Sequence, residues 1–517
     1  MTALTLLLRW MDASSRRERW TSAAVVVLIV GLVTFALVPA PRIGPNALEA
    51  GGLPVAEYDA SPVANQPVGV SAGPEAPAVP STPGAVTPGV TTVTTAFTGG
   101  GGPAPVPETT VPLRATERGV TADSIKVGFA AAGFAGAVEA GIVTSMRTDV
   151  SEAIDALVDY ANDRGGVLGR RIEPVKVEPD LLSESDQRQK CLELTETEGV
   201  FAVVDSFAFW HETAAACITA EHKTLLLNGS PGSAENVRNG FPYAVSVYKD
   251  DNRKMKDLVV AAKTAGFFDP ARGFEKLGIY ADCTPSMLDE PGEGLHAQLE
   301  AAGVTEWSEF RVACDATPRG GKEAVLQFAQ DGVTHVLLIS RPPPVKDLVD
   351  SAGASLFYPK YFAGDYLNLI LGGLVADFDP VGFDGALGVT QTHAGEGAIG
   401  RPLPPLAQTC SDIIVEHGLP PISSAPPDDL GDDLQILEIC ESFFLFLQAA
   451  TAAGPELTTP AWLDALSRVG EFHGASTDLS RFDRRGKNTG GDTMKLVKWH
   501  RDCTCWKQLT EFGPAAG

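Results

Sequence analysis

Three fragments of this 517-residue chain carry the residue types of a catalytic or metal site, and none is complete. His211-Glu212 begins like a zinc-protease helix, in which two histidines four residues apart hold the metal and the glutamate activates water. No second His follows four residues on. Asn228-Gly229-Ser230-Pro231-Gly232 approaches the Gly-x-Ser-x-Gly elbow that presents a nucleophilic serine, but Asn228 stands where the first glycine belongs. His500-x-x-Cys503-x-Cys505 offers three metal ligands and lacks a fourth. No Gly-rich loop ends in Lys-Ser or Lys-Thr, so no phosphate cradle and no cofactor is implied. Each fragment reads as a turn. The chain reads as a binder rather than an enzyme.

The elements that must position a ligand begin at Ser124. Ser-Ile-Lys-Val-Gly-Phe is a short β-branched strand, and Val150, Ile154, Leu157, Val158 and Ala161 then recur at helical spacing. Gly165-Gly166 and Gly169 stop that helix, and Arg171-Ile-Glu-Pro-Val-Lys-Val starts a second strand. No Gly-x-Gly-x-x-Gly follows the first strand, so a nucleotide is not the obvious ligand. The same alternation continues. Strands are expected at 125–129, 172–177, 201–204, 224–227, 243–247, 277–280, 309–312, 335–339 and 360–363. Helices are expected at 185–197, 211–221, 253–265, 295–302, 322–330 and 345–352, with two more at 434–453 and 459–469. Such alternation implies parallel sheets covered by helices.

The opening unit, with its Asn162-Asp-Arg-Gly-Gly-Val-Leu-Gly169 turn, resembles type I periplasmic solute-binding proteins, the leucine/isoleucine/valine-binding-protein family. The resemblance implies an α/β fold of two Rossmann-like lobes joined by three crossovers, placed here near Lys249, Thr390 and Ser476. Lobe one would hold 117–248 and 391–475, and lobe two 249–390 and 476–517. It also implies substrate capture for a branched-chain-type ABC permease. The first loop, Ala130-Ala-Ala-Gly-Phe-Ala-Gly136, departs from the family's Pro-x-x-Gly or Ser/Thr-rich form, which weakens the case for a branched-chain amino acid.

In open parallel sheets ligands collect beyond the carboxyl ends of the strands. In lobe one the loops there are 130–136, 205–210 and 228–233, and their candidates are Ser206, Ser230, Ser233 and Trp210. The alternative for each serine is a helix cap, and for Trp210 packing. In lobe two the loops are 281–290, 340–344 and 364–367, with Thr284, Arg341, Asp365 and Tyr366. Asp365 can accept an ammonium group or cap the next helix. Arg341 can pair an anion or be solvated.

All eight cysteines follow residue 190, and an even number in an exported domain points to disulfides. Cys191–Cys217 is similar to a pairing in the branched-chain-amino-acid binders. Cys283 and Cys314 follow strands expected to be neighbours. Cys410 and Cys440 bracket a Pro/Asp-rich loop, and Cys503 and Cys505 remain.

Ahead of this region, Thr21–Val38 is uncharged and spans about 27 Å as a helix, near the roughly 30 Å of a bilayer core. Arg9, Arg16, Arg17 and Arg19 precede it and keep the amino terminus cytoplasmic. An uncleaved signal anchor is expected, with a cleaved signal peptide as the alternative. Residues 39–116 are dominated by Pro, Gly, Ala, Val, Thr and Ser, which cannot bury enough apolar area to order, so a flexible stalk is expected. The folded domain would then lie outside the cytoplasm. Residues 1–42 carry five Arg against Asp12 and Glu18, a net +3. The chain carries −25, which leaves −25 − 3 = −28 beyond. That surface repels nucleic acid.

Overall fold

The computed structural model describes residues 112–134, 147–282, 285–313, 320–366, 369–426 and 430–515. The expected anchor and almost all of the expected stalk lie outside these residues, as do Thr284, Cys283 and Cys314. Among the described residues, fifteen strands run in chain order. The first five are β1 Ser124–Ala130, β2 Arg171–Val177, β3 Ala202–Asp205, β4 Leu225–Asn228 and β5 Ala244–Val245. Next come β6 Leu277–Ala281, β7 Trp307–Arg311, β8 His335–Ile339, β9 Lys360–Ala363 and β10 Leu387–Thr390. The last are β11 Gly470–Phe472, β12 Ser480–Phe482, β13 Thr493–His500, β14 Cys505–Gln508 and β15 Gly513–Pro514.

The first sheet is parallel throughout, in the order β2-β1-β3-β4-β5. The second runs β7-β6-β8-β9-β10-β13-β14, and here the parallel expectation needs correction. β13 pairs antiparallel with both β10 and β14, so this sheet is mixed. Periodicity explains the omission. Met494-Lys-Leu-Val-Lys-Trp lacks a clean period of two, and Lys495 lies on the buried face, ion-paired with Glu396 at 2.8 Å.

Asn162 shows how the opening turn works. The helix Val150–Asp163 buries Ile154, Leu157, Val158 and Ala161 on one face. At its end the buried Asn162 amide donates to Ile172 O at 3.0 Å, and its Oδ1 accepts from Ile172 N at 2.7 Å. One side chain thus fastens helix end to β2. Gly166 has φ +59, and a Cβ there would strike the Arg170 carbonyl, so only glycine fits.

Two expected helices end in wider π turns: Glu184–Leu192 continues as Glu193–Thr197, and Glu212–Ala216 as Cys217–Glu221. Cys191–Cys217 joins them. Cys410–Cys440 joins the helix Pro405–Glu416 to Leu434–Ala453, and Cys503–Cys505 closes the β13–β14 turn. The cysteines of the Cys503-x-Cys505 motif are therefore spent on each other. The helix Leu434–Ala453 is long and apolar enough to cross a membrane, with mean hydropathy 1.5, yet most of it is buried as the spine of lobe one. Its Phe443 packs edge-on against Phe129 of β1 at 5.2 Å between centroids. Full burial of such a ring contributes about 1.5–3 kcal/mol.

Three crossovers connect the sheets and touch one another. Lys249 N donates to Gln391 Oε1 at 3.1 Å, Tyr248 and Ser476 share a hydroxyl hydrogen bond, and His393 N donates to Ser476 O at 2.9 Å. The third crossover passes Ser476 and is long. β12 still pairs with β11, and Gly490 N donates to Ser246 O at 2.8 Å beside β5. Residues 480–490 thus stay with lobe one, and the chain joins the second sheet only at β13.

Candidate ligand site between the lobes

The loops at the carboxyl ends of β1, β3 and β4 come together around the start of helix Leu434–Ala453. Gln435 Oε1 accepts from Ala132 N at 2.6 Å, and the buried Ser206 hydroxyl donates to the same oxygen at 3.2 Å. Ser206 O in turn accepts from Gly229 N at 2.6 Å. One side chain therefore gathers the three loops of lobe one.

Of the lobe-one candidates, Ser230 alone has an unengaged hydroxyl: it is half-buried, and its backbone N–H donates to Asn228 Oδ1 at 2.5 Å. Ser233 is committed as a helix cap, accepting from Asn236 N at 3.1 Å and donating to Glu212 at 2.6 Å. Trp210 is committed too: its indole N–H donates to Leu181 O at 2.6 Å, and its ring lies 4.2 Å from His211.

In lobe two, Arg341 Nε lies 3.3 Å from Asp282 Oδ2 without hydrogen-bond alignment, while Arg341 N and Ser340 Oγ donate to that carboxylate at 3.2 Å each. Asp365 binds the second crossover. Its Oδ2 accepts from Gln391 N at 2.6 Å, fastening the loop after β9 to the second crossover. Burial raises the Asp365 carboxyl above its ordinary range, and Thr390, Gln391, Lys249 and Lys254 pull it back. Its partners thus come from within the protein, and burial still outweighs them. Tyr366 is buried in the lobe-two core beside Leu258 and Val389.

The acids that sequence reading missed lie beneath these loops. Asp205, at the end of β3, accepts from Ala208 N at 2.9 Å, and burial pushes its pKa up to about 8. Glu441 accepts from the backbone of Ala475 and Ser476 at 2.9 and 3.1 Å and from the Ser476 hydroxyl at 2.8 Å. Glu438, one turn earlier, is pushed well above the carboxylate range by burial, then by Glu441 and Asp205. Lys254, in the first turn of the helix Asp251–Thr264, donates to Asp251 at 3.0 Å. Burial works against its charge, but Asp251 and Asp365 hold its pKa above the ordinary value. The signal was present: Gln435, Glu438 and Glu441 recur every three residues in an otherwise apolar helix.

At the mouth, Arg238 of lobe one reaches Glu290 at 2.5 Å and Glu293 at 3.0 Å in lobe two. Asn252 Nδ2 also donates to Glu290 at 3.2 Å, while its Oδ1 accepts from Ala234 N at 2.9 Å.

Two lobes, three crossovers and opposed strand ends define the type I periplasmic binding protein fold. Residues 125–364 match the sequence model of the periplasmic binding protein family. A branched chain amino acid ABC transporter structure from Thermus thermophilus with bound valine is similar, with TM-score 0.58 and 14% identity, covering 76% of this chain and 98% of that one. A possible leucine/isoleucine/valine-binding protein from Rhodopirellula baltica SH 1 gives TM-score 0.56 and 16% identity, covering 78% and 98%. A fatty acid ABC transporter substrate-binding protein from Thermomonospora curvata gives 0.55 and 17%, covering 78% and 95%. At these identities the likeness is one of fold. No curated protein matches the chain in sequence.

Proposed function

We propose that this chain is a membrane-tethered extracytoplasmic solute-binding protein. It closes two lobes on a small polar metabolite, an amino acid or a small carboxylate or amide, and hands it to a branched-chain-type ABC permease. The observation that carries this reading is the set of loops at the strand ends, gathered by Gln435 in lobe one and facing lobe two across three touching crossovers. Closure about such a hinge favours bound ligand because both lobes then contact it. The valine bound in the Thermus structure supports the amino-acid class, and the fatty acid transporter protein from Thermomonospora shows how widely cargo varies on this fold. The Thr21–Val38 anchor and the Pro/Gly-rich stretch after it also suit a tethered receptor that senses its ligand without transport.

Thermal-shift screening of the full chain in detergent, against amino acids, dicarboxylates and amides, tests the shared core of both readings. A saturable rise in melting temperature with one of these classes is expected, by about 2.7 kcal/mol of stabilisation at a hundredfold excess over Kd. No shift with any class would overturn it.

A further inference from the structure

Leu434 packs into the core of the second lobe, whereas Ile436 and Leu437 pack into the first. The start of this helix therefore stands at the lobe junction, and Glu438 follows one turn after Gln435 on the face that gathers the lobe-one loops. Glu438 is 2% exposed, and its Oε2 is buried with no hydrogen-bond partner among the described residues. That oxygen lies beside the loop after β4: a Cβ on Gly229 would come within 2.6 Å of it, so glycine is required there.

Among the described residues the surroundings supply no spare donor to this oxygen. Asp205 and Glu441 are acids, and their own acceptor needs are met by backbone and hydroxyl groups. The Tyr248 hydroxyl is shared among Ser476, Glu441 and Glu438. Lys254 is the nearest cation acting on Glu438 and is bonded to Asp251. A carboxylate buried without a donor is costly, and breaking a buried charge pair leaves the same situation. A positively charged donor completes this site.

We propose that the interlobe ligand carries a protonated amine that docks on Glu438 Oε2 beside Gly229, with the free Ser230 hydroxyl accepting a second N–H. This deepens the solute-binding reading and rests on it. In the empty protein a proton occupies the same oxygen. Binding the amine displaces that proton to the buffer, so charge balances without any other co-reactant.

Titration calorimetry on the full chain at pH 7 tests this with L-leucine, L-lysine and putrescine against the nitrogen-free 4-methylpentanoate and succinate. Amines alone are expected to bind, with about one proton released per ligand, read as a heat that changes with the ionisation enthalpy of the buffer. Glu438→Gln should weaken the amine about tenfold or more. Its melting temperature should not fall, since the empty protein already holds this carboxyl neutral and glutamine keeps its shape. Nitrogen-free acids binding as well as amines, or amine affinity unchanged in Glu438→Gln, overturns the proposal and leaves the solute-binding reading standing. Absence of binding by every probe overturns both. If Glu438→Gln fails to fold, the proton count in the unaltered chain decides: amine binding without proton release overturns the proposal.

Discussion

In lobe two the acids of the binding loops are answered from within. Asp282 holds Arg341 and the Ser340 hydroxyl, and Asp365 holds the backbone of Gln391 with Lys249 and Lys254 nearby. In lobe one, three acids crowd beneath the loops, and one of them, Glu438, keeps an oxygen without a donor. The difference teaches where recognition and shape reside on this fold. Lobe two uses its charges to fix loop geometry; lobe one leaves a charge deficit for something else to fill.

The comparison breaks most directly at Glu441, the answered member of the pair. Glu441→Ala strands the Ala475 and Ser476 N–H groups and the Ser476 hydroxyl in a buried crossover. We expect a loss of about 3–5 kcal/mol in urea unfolding. A loss below about 1 kcal/mol would mean the carboxylate does not pin the crossover.

Next in size is a pH effect carried by Asp205. Its folded pKa of about 8 lies above its unfolded value, so the folded state holds the proton more tightly. The stability it contributes is full below the unfolded pKa and is lost as pH rises through the folded one. Between pH 5 and pH 8 the fall should be about 4 kcal/mol, at roughly 1.4 kcal/mol per pH unit. Asp205→Asn should flatten that slope in denaturation curves taken across the range; an unchanged slope would place the titration elsewhere.

The smallest effect sharpens the lobe-two side. Arg341→Ala leaves Asp282 with its hydroxyl and backbone donors but without its cation, which should cost about 2 kcal/mol. Arg341→Lys should recover part of it. A neutral result for Arg341→Ala would show that Ser340 and the Arg341 backbone suffice for Asp282.

Much of the fold was legible because it rests on local periodicity. The Val150–Ala161 stripe, the β-branched strands and the Asn162–Gly169 turn each advertise their structure within a few residues. β13 was not, because Lys495 sits on its buried face, where its partner is Glu396, about a hundred positions earlier in the chain. The site was less legible than the fold for the same reason. Asp365 looks like a ligand group until Gln391, on another crossover, is placed beside it. Trp210 looks like a lid until the Leu181 carbonyl takes its N–H. Glu438 and Glu441 could have been flagged as acids on an apolar helix. Which of them is left without a donor depends on residues 475 and 476, and spacing alone does not reveal that.

The helix Leu434–Ala453 has a consequence at the moment of synthesis. On the export route proposed for this chain, an unfolded segment of that length and hydropathy must pass the protein-conducting channel without slipping sideways into lipid. Glu438 and Glu441 oppose such an exit, since an ionised residue inside a lipid-embedded helix costs about 2.5–3.5 kcal/mol. The acids that crowd the floor of the site in the folded domain thus also serve the nascent chain as a pass through the membrane.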